Sequence, residues 1–128
     1  MGRRILAAMD PRFLEHFRSP RNVGDLDPAD GRAAVENPVC GDRIQLAVRL
    51  DGARVAALAY RVQGCSGAIA AASVMSELAQ GEPLARARQI DRDAIDAALG
   101  GLPALKRHGA DLAADGLLAA LDAAEERA

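Results

Sequence analysis

Four side chains in this sequence are of types that bind soft or borderline metal ions, and they fall in three separate stretches. Cys40 and Asp42 belong to Asn37-Pro38-Val39-Cys40-Gly41-Asp42, where a thiol and a carboxylate two positions apart can turn towards one point. Cys65 follows 25 positions after Cys40, between Gly64 and Ser66-Gly67, and His108 stands in the stretch from Leu102 to Gly109. Brought together, two thiolates, one carboxylate and one imidazole are a donor set suited to zinc or iron. Glycines beside both cysteines leave room for an ion or a cluster. Each residue also has a plainer reading. Free cysteines are commonly small buried hydrophobes, Asp42 alone would cap a turn or begin a strand, and a histidine next to Lys106 and Arg107 is commonly just solvated.

The elements around these residues decide between the two readings. From Arg43 the chain alternates, with Ile44, Leu46, Val48 and Leu50 between Arg43, Gln45, Ala47 and Arg49, as expected of a strand with one buried face. Asp51-Gly52 predicts a tight hairpin turn. The return strand, Ala53 to Gln63, places Leu58, Tyr60 and Val62 on one face and ends at Gly64-Cys65. In an antiparallel pair, the loop before the outgoing strand and the loop after the returning one lie at the same end of the sheet, so Cys40 and Cys65 should meet. A helix expected from about Gly67 to Ala79 starts just beyond Cys65, and the partial positive charge at its N-terminus favours thiolate over thiol. His108 joins the pair if its loop returns to that end.

The remaining chain is read in the same way. A first helix starts with Asp10 as cap and Pro11 at its first position, carries Phe13, Leu14 and Phe17, and stops near Ser19-Pro20. Residues 20 to 40 have loop chemistry, apart from a short edge strand around Arg32 to Val35. The stripe Ala71, Val74, Met75 and Leu78 faces the sheet from the Gly67–Ala79 helix. Further helices are expected from Asp91 to Leu99, closed by Gly100-Gly101, and from about Ala110 to Arg127 with Leu117, Leu118 and Leu121 inward. Strands first and helices afterwards predict an α+β fold in which helices cover a small antiparallel sheet.

Composition bounds the function. A chain of 128 residues is one domain, residues 1 to 128, with 16 basic and 18 acidic side chains and a net charge of -2. No excess positive field exists to hold a nucleic acid backbone. Arg3 and Arg4 precede only the short apolar run Ile5 to Met9, so neither a signal peptide nor a membrane helix is expected, and a cytoplasmic protein with free thiols is. No nucleophile, base and oxyanion constellation can be assembled without reusing the four donors, so a conventional enzyme is not expected. His16, on the first helix, is expected to make a local hydrogen bond only. Arg3, Arg4, Arg12, Arg18 and Arg21 are either a docking face for an acidic partner or ordinary solvated charge.

The chain also resembles a known family, the iron-sulfur cluster assembly scaffolds of the IscU, SufU and NifU N-terminal type. Glu15-His16-Phe17 with Ser19-Pro20-Arg21-Asn22-Val23-Gly24 is similar to the family's opening helix and the turn after it. Asn37 to Asp42 resembles the first cysteine motif with its aspartate, and Gly64-Cys65-Ser66 followed by Ala70-Ala71-Ala72-Ser73 resembles the second. The resemblance implies about three strands packed by helices and a solvent-facing site that assembles and passes on a 2Fe-2S cluster, or holds iron or zinc. It also implies a cysteine desulfurase and recipient apo-proteins as partners. One family feature is missing: the third cysteine, expected directly after the loop's histidine, is Gly109 here. Sulfur delivery then falls on Cys40 or Cys65, and Cys40, Asp42, Cys65 and His108 are left as ligands. The family's Hsp70-type chaperone segment has a looser counterpart in Leu102-Pro103-Ala104-Leu105-Lys106. Two rival functions stay open, a zinc-bearing sulfur acceptor or adaptor for the desulfurase and a degenerate paralogue that keeps only partner binding.

Overall fold

The computed structural model describes residues 10–127. Helix α1 (Pro11–Arg18) begins where the Asp10 carboxylate accepts the Arg12 amide at 2.8 Å, with Pro11 in the first turn, where its missing N–H costs nothing. Strands β1 (Gly31–Glu36), β2 (Arg43–Asp51) and β3 (Arg54–Gln63) form an antiparallel sheet in the order β1-β2-β3. Helix α2 (Ser66–Ala79) leaves the end of β3. It is followed by the short α3 (Leu84–Ala87), by α4 (Arg92–Ala98) capped by Asp91, by one 3-10 turn (Ala104–Lys106), and by the long α5 (Arg107–Arg127).

The alternation in β2 works as expected. Ile44, Leu46 and Val48 are buried, paired across the hairpin with Val62, Tyr60 and Leu58. A register shift between Arg49 and Leu50 then breaks the period, leaving Leu50 half-buried and turning Val55 inward. The outer edge of β3 does not stay open. Gly24 donates its amide to the Tyr60 carbonyl at 2.8 Å, Tyr60 donates to Asn22 at 3.2 Å, and nearer the hairpin turn Val55 and Gly81–Glu82 exchange bonds of 2.9 and 2.7 Å. The irregular stretch after α1 thus closes an edge that would otherwise pair with another chain.

Helices α2 and α5 lie side by side on one face of the sheet. Against the expectation of a single inward stripe, α2 is buried nearly all round: Gly67, Ala68, Ala70 to Ser76 and Ala79 are all buried. Its small side chains favour helix and permit neighbours on every side. On α5, Leu117 and Leu121 point inward as expected, but Leu118 is 44% exposed, because it falls off the buried face shared by Leu117, Ala120, Leu121 and Ala124. Gly31 of β1 lets the strand pass against the α5 backbone at Ala120 and Ala124, where any Cβ would collide.

The contact between α1 and α2 is polar at its centre. His16 is 8% exposed, and its Nδ1 lies 2.7 Å from the hydroxyl of fully buried Ser73, 57 positions away, in place of the local bond expected. Ser73 Oγ also accepts the Arg21 amide at 3.0 Å, and the Asn22 amide group donates to Ser76 Oγ at 3.0 Å. His16 Nε2 faces Glu77 at 3.3 Å. Arg21 is held by Glu15 at 2.6 Å and lies 3.9 Å from Glu77, so it is not a free docking charge. Arg12 is paired with Asp10. Arg3, Arg4 and the run Ile5 to Met9 lie outside the described residues.

Burial, reinforced by the Arg21 charge, pushes the His16 imidazole below its ordinary value of 6.5, while Glu77 and Glu15 oppose the shift. The folded chain therefore keeps His16 neutral at pH values where the unfolded chain protonates it. This contribution to stability is complete above about 6.5 and is lost as the pH falls towards the folded value. Urea denaturation between pH 7.5 and 5.5 should show stability falling with pH, and His16→Gln should remove part of that slope. Asp10, held at about 2 by Arg12, acts only at much lower pH and leaves this window alone.

Candidate metal centre

The hairpin brings the two cysteine-bearing segments to one end of the sheet. Arg43 pairs with Gln63, so Asp42 and Gly64 are neighbours at one end of the sheet. The β1–β2 loop that carries Cys40 is shaped by Asn37, whose side-chain oxygen accepts the amides of Val39 at 2.9 Å and Cys40 at 3.4 Å. The Asn37 carbonyl and amide bond Gly41 and Asp42, each at 2.8 Å. Gly41 takes φ +79°, a left-handed turn that tips Cys40 outward. Cys65 is the N-cap residue of α2 and makes no side-chain capping bond, so the first amides of α2 are left without a side-chain partner beside its sulfur.

The donor atoms of Cys40, Asp42 and His108 all lie within 4.8 Å of one another. His108 Nε2 stands 3.5 Å from Asp42 Oδ2 and 3.9 Å from Cys65 Sγ, but Cys65 lies outside the group of three mutually close donors, so the expected meeting of the two thiols is replaced by a separate approach of each to the imidazole. Neither cysteine is in a disulfide; Cys40 is exposed and Cys65 half-buried. The burial is graded, with side-chain exposure of 12% for Asp42 and 34% for His108, so the site has a covered floor and an open mouth.

Asp42 Oδ2 is buried and has no hydrogen-bond partner. The His108 imidazole 3.5 Å away is its one charged neighbour among the described residues, and a buried carboxylate oxygen without a hydrogen bond is suited to a bound cation. Gly64 makes this placement sterically feasible: a Cβ there would stand 2.7 Å from the Asp42 carboxyl carbon and 2.8 Å from Oδ2. Cys40, Asp42 and His108 offer one sulfur, one oxygen and one nitrogen at one point, with the Cys65 sulfur 3.9 Å from the same imidazole, a set of types that suits an iron-sulfur cluster or a single thiophilic ion.

The family model for the NifU-like N-terminal domain matches residues 9–128. The chain belongs to this family. It is 42% identical over 110 residues to a protein named iron-sulfur cluster assembly scaffold protein IscU 1 of Archaeoglobus fulgidus, covering 86% of this chain and 72% of that one. The scaffold protein IscU of Aquifex aeolicus is 33% identical over 112 residues, 86% of this chain and 71% of its own. The solved NifU-like N-terminal structure from Brucella abortus superposes with a TM-score of 0.77 at 22% identity, over 93% of this chain and 95% of that one, which supports the fold alone.

Within this NifU-type domain, one expectation needs correction. His108 is not in a loop: α5 begins at Arg107, so the histidine sits in a helical first turn, which restricts where its ring can point. The segment Leu102 to Lys106 is partly accessible. Leu102 is buried and Lys106 half-buried, donating Nζ to Ser66 Oγ at 2.8 Å, while Pro103 and Ala104 are exposed and Leu105 is 88% exposed. The supporting roles of Asn37 and Lys106 were missed, and that of Gly64 was read only as room for an ion, not as room for the Asp42 carboxylate. An Asn three positions before the first cysteine was a readable turn signal; the other two depend on contacts between distant segments.

Asp42→Ala should leave the metal-free protein folded, since it removes a buried oxygen that makes no hydrogen bond, and should weaken metal binding. Urea melts and a metal titration on the same variant read the two effects separately.

Proposed function

We propose that this protein is an iron-sulfur cluster scaffold or carrier, with Cys40, Asp42, Cys65 and His108 holding a 2Fe-2S cluster or a single iron for transfer to apo-proteins. The observation that carries the reading is the meeting of three donor atoms within 4.8 Å at an open rim, with a second thiol 3.9 Å from the same imidazole. The names of the relatives from Archaeoglobus fulgidus and Aquifex aeolicus support it. The mixed set has a physical use: carboxylate and imidazole are exchangeable where thiolates are not, and cargo has to leave. Partners in this reading are a cysteine desulfurase and recipient proteins, with an Hsp70-type chaperone meeting the exposed Pro103–Leu105 part of the Leu102–Lys106 segment. A reducing cytoplasm, which keeps both thiols free, is the fitting compartment.

Anaerobic reconstitution with iron and sulfide, followed by absorption and Mössbauer spectra, tests this. One 2Fe-2S cluster or one iron per chain is expected, and Cys40→Ser or Cys65→Ser should abolish stable loading. A folded protein that stays colourless and binds no iron sinks the reading.

The exposure of Cys40 favours a second reading, a zinc-bearing sulfur acceptor. Its thiolate would attack the outer sulfur of a donor persulfide, forming a new S–S bond as the donor leaves as thiolate. Elemental analysis of protein purified without added metal, with mass spectrometry after exposure to a desulfurase and cysteine, separates the two. One zinc per chain with a persulfide on Cys40 or Cys65 is the outcome this second reading expects, and iron with inorganic sulfide is the outcome against it.

A further inference from the structure

Helices α2 and α5 cover one face of the sheet, and the outward residues of the strands form the other. Between Gly24, bonded to the edge of β3, and Gly31, where β1 starts on the opposite edge, the chain passes over part of this outer face. There Arg32 donates to the Asp25 carboxylate at 2.7 and 2.8 Å, and Arg49 donates to the Pro28 carbonyl at 2.8 Å. The part nearer the metal site stays open. A trough of about 390 Å³ is lined by the small side chains of Ala34 and Ala47, by Asp25 and Arg32 below the crossing segment, and by Gln45 and Arg61 beyond it. A second depression, bounded by Arg43, Gln45, Arg61 and Gln63, continues it to the end of the sheet, where the next residues along the chain are Asp42 and Gly64.

The strand register fixes this quartet. Arg43 stands opposite Gln63 and Gln45 opposite Arg61, so the two arginines are diagonal neighbours on one face. All four side chains are exposed, and among the described residues neither arginine makes an ion pair. Asp25 is taken by Arg32, and Glu36, opposite Arg43 on β1, makes no ion pair with it. Two like charges set side by side repel in the free chain, and an anion that bridges them relieves the repulsion. Guanidinium forks suit carboxylates, and the two amides add donors and acceptors beside them. We propose that this outer sheet face is a docking surface for an acidic protein partner, which sets carboxylates against Arg43 and Arg61 and a neighbouring side chain in the alanine-lined trough. The chain as a whole carries a net charge of -2. It therefore repels an extended polyanion beyond the patch, whereas a local cluster of carboxylates matches the patch in size. A partner seated there reaches the metal-site end of the molecule through a surface that holds none of the four proposed ligands, so the proposal stands apart from that ligand set.

Titration of the isotope-labelled full chain with an oligoglutamate peptide at low salt, followed by NMR of backbone amides and arginine Nε–H groups, tests this. Shifts should concentrate on Arg43, Gln45, Arg61 and Gln63. Combining Arg43→Gln with Arg61→Gln should weaken binding about fivefold or more, with metal loading as in the wild type. Combining Arg18→Gln with Arg86→Gln removes the same charge from exposed positions elsewhere and should leave the affinity unchanged. Equal losses in the two double variants, or shifts spread over all surface arginines, reveal a general charge effect and overturn the proposal. So does a short single-stranded DNA that binds this face more tightly than the peptide. If the Arg43 and Arg61 double variant does not fold, the wild-type shift map decides alone: shifts confined to the quartet support the docking surface, and shifts elsewhere overturn it.

Discussion

The close approach of backbones around α2 is the constraint on which the rest of this structure depends. A helix covered by a sheet, by α1 and by α5 can carry little but glycine, alanine and serine on most of its surface, and the stretch from Gly67 to Ser76 has mainly these. The chain has only three aromatic side chains. Its cohesion therefore comes from many short-range contacts between small groups, each weak and all dependent on near-perfect fit. The same closeness that fills the core brings the starts of α2 and α5 together, and the donor set is built where they meet.

That junction is also where folding and binding pull in opposite directions. Elsewhere among the described residues, charged groups at the surface are paired in ordinary ways, such as Arg88 with Asp122 and Glu125. At the rim, a carboxylate oxygen is buried without a partner, beneath a glycine that gives it space. Under the proposed ligand set, a cation bound there would compensate that oxygen and couple the order of this end of the molecule to its cargo. Tyr60 lies in the core, where burial raises the pKa of its phenol against the opposing effects of Ser73 and Arg21.

The seam between α1 and α2 gives the first helix a defined place. Apolar packing alone, through Phe13 and half-buried Leu14, would allow α1 to slide along the smooth surface of alanines. Ser73 and Ser76 oppose that, because the Ser73 hydroxyl meets His16 and the Arg21 amide, and the Ser76 hydroxyl, which donates to the Ser73 carbonyl, accepts from Asn22, in one register. Two serines among alanines on the most buried helix are polar groups of this specifying kind.

The hairpin was legible from the chain alone, because period-two alternation and an Asp-Gly turn are local properties, and antiparallel pairing then sends Cys40 and Cys65 to one end whatever else folds. Asp42 followed from its distance of two residues from Cys40. The start of α5, the exposure of Leu118 and the burial of His16 were not legible, since each depends on which surface a distant segment presents. The amino-acid sequence by itself determined the types of the four candidate donors and the end of the sheet at which Cys40 and Cys65 stand. Only the tertiary structure decided that His108 comes beside Asp42 and Cys65, because that is set by contact between the starts of two helices some forty residues apart, and no local pattern encodes the gap between them.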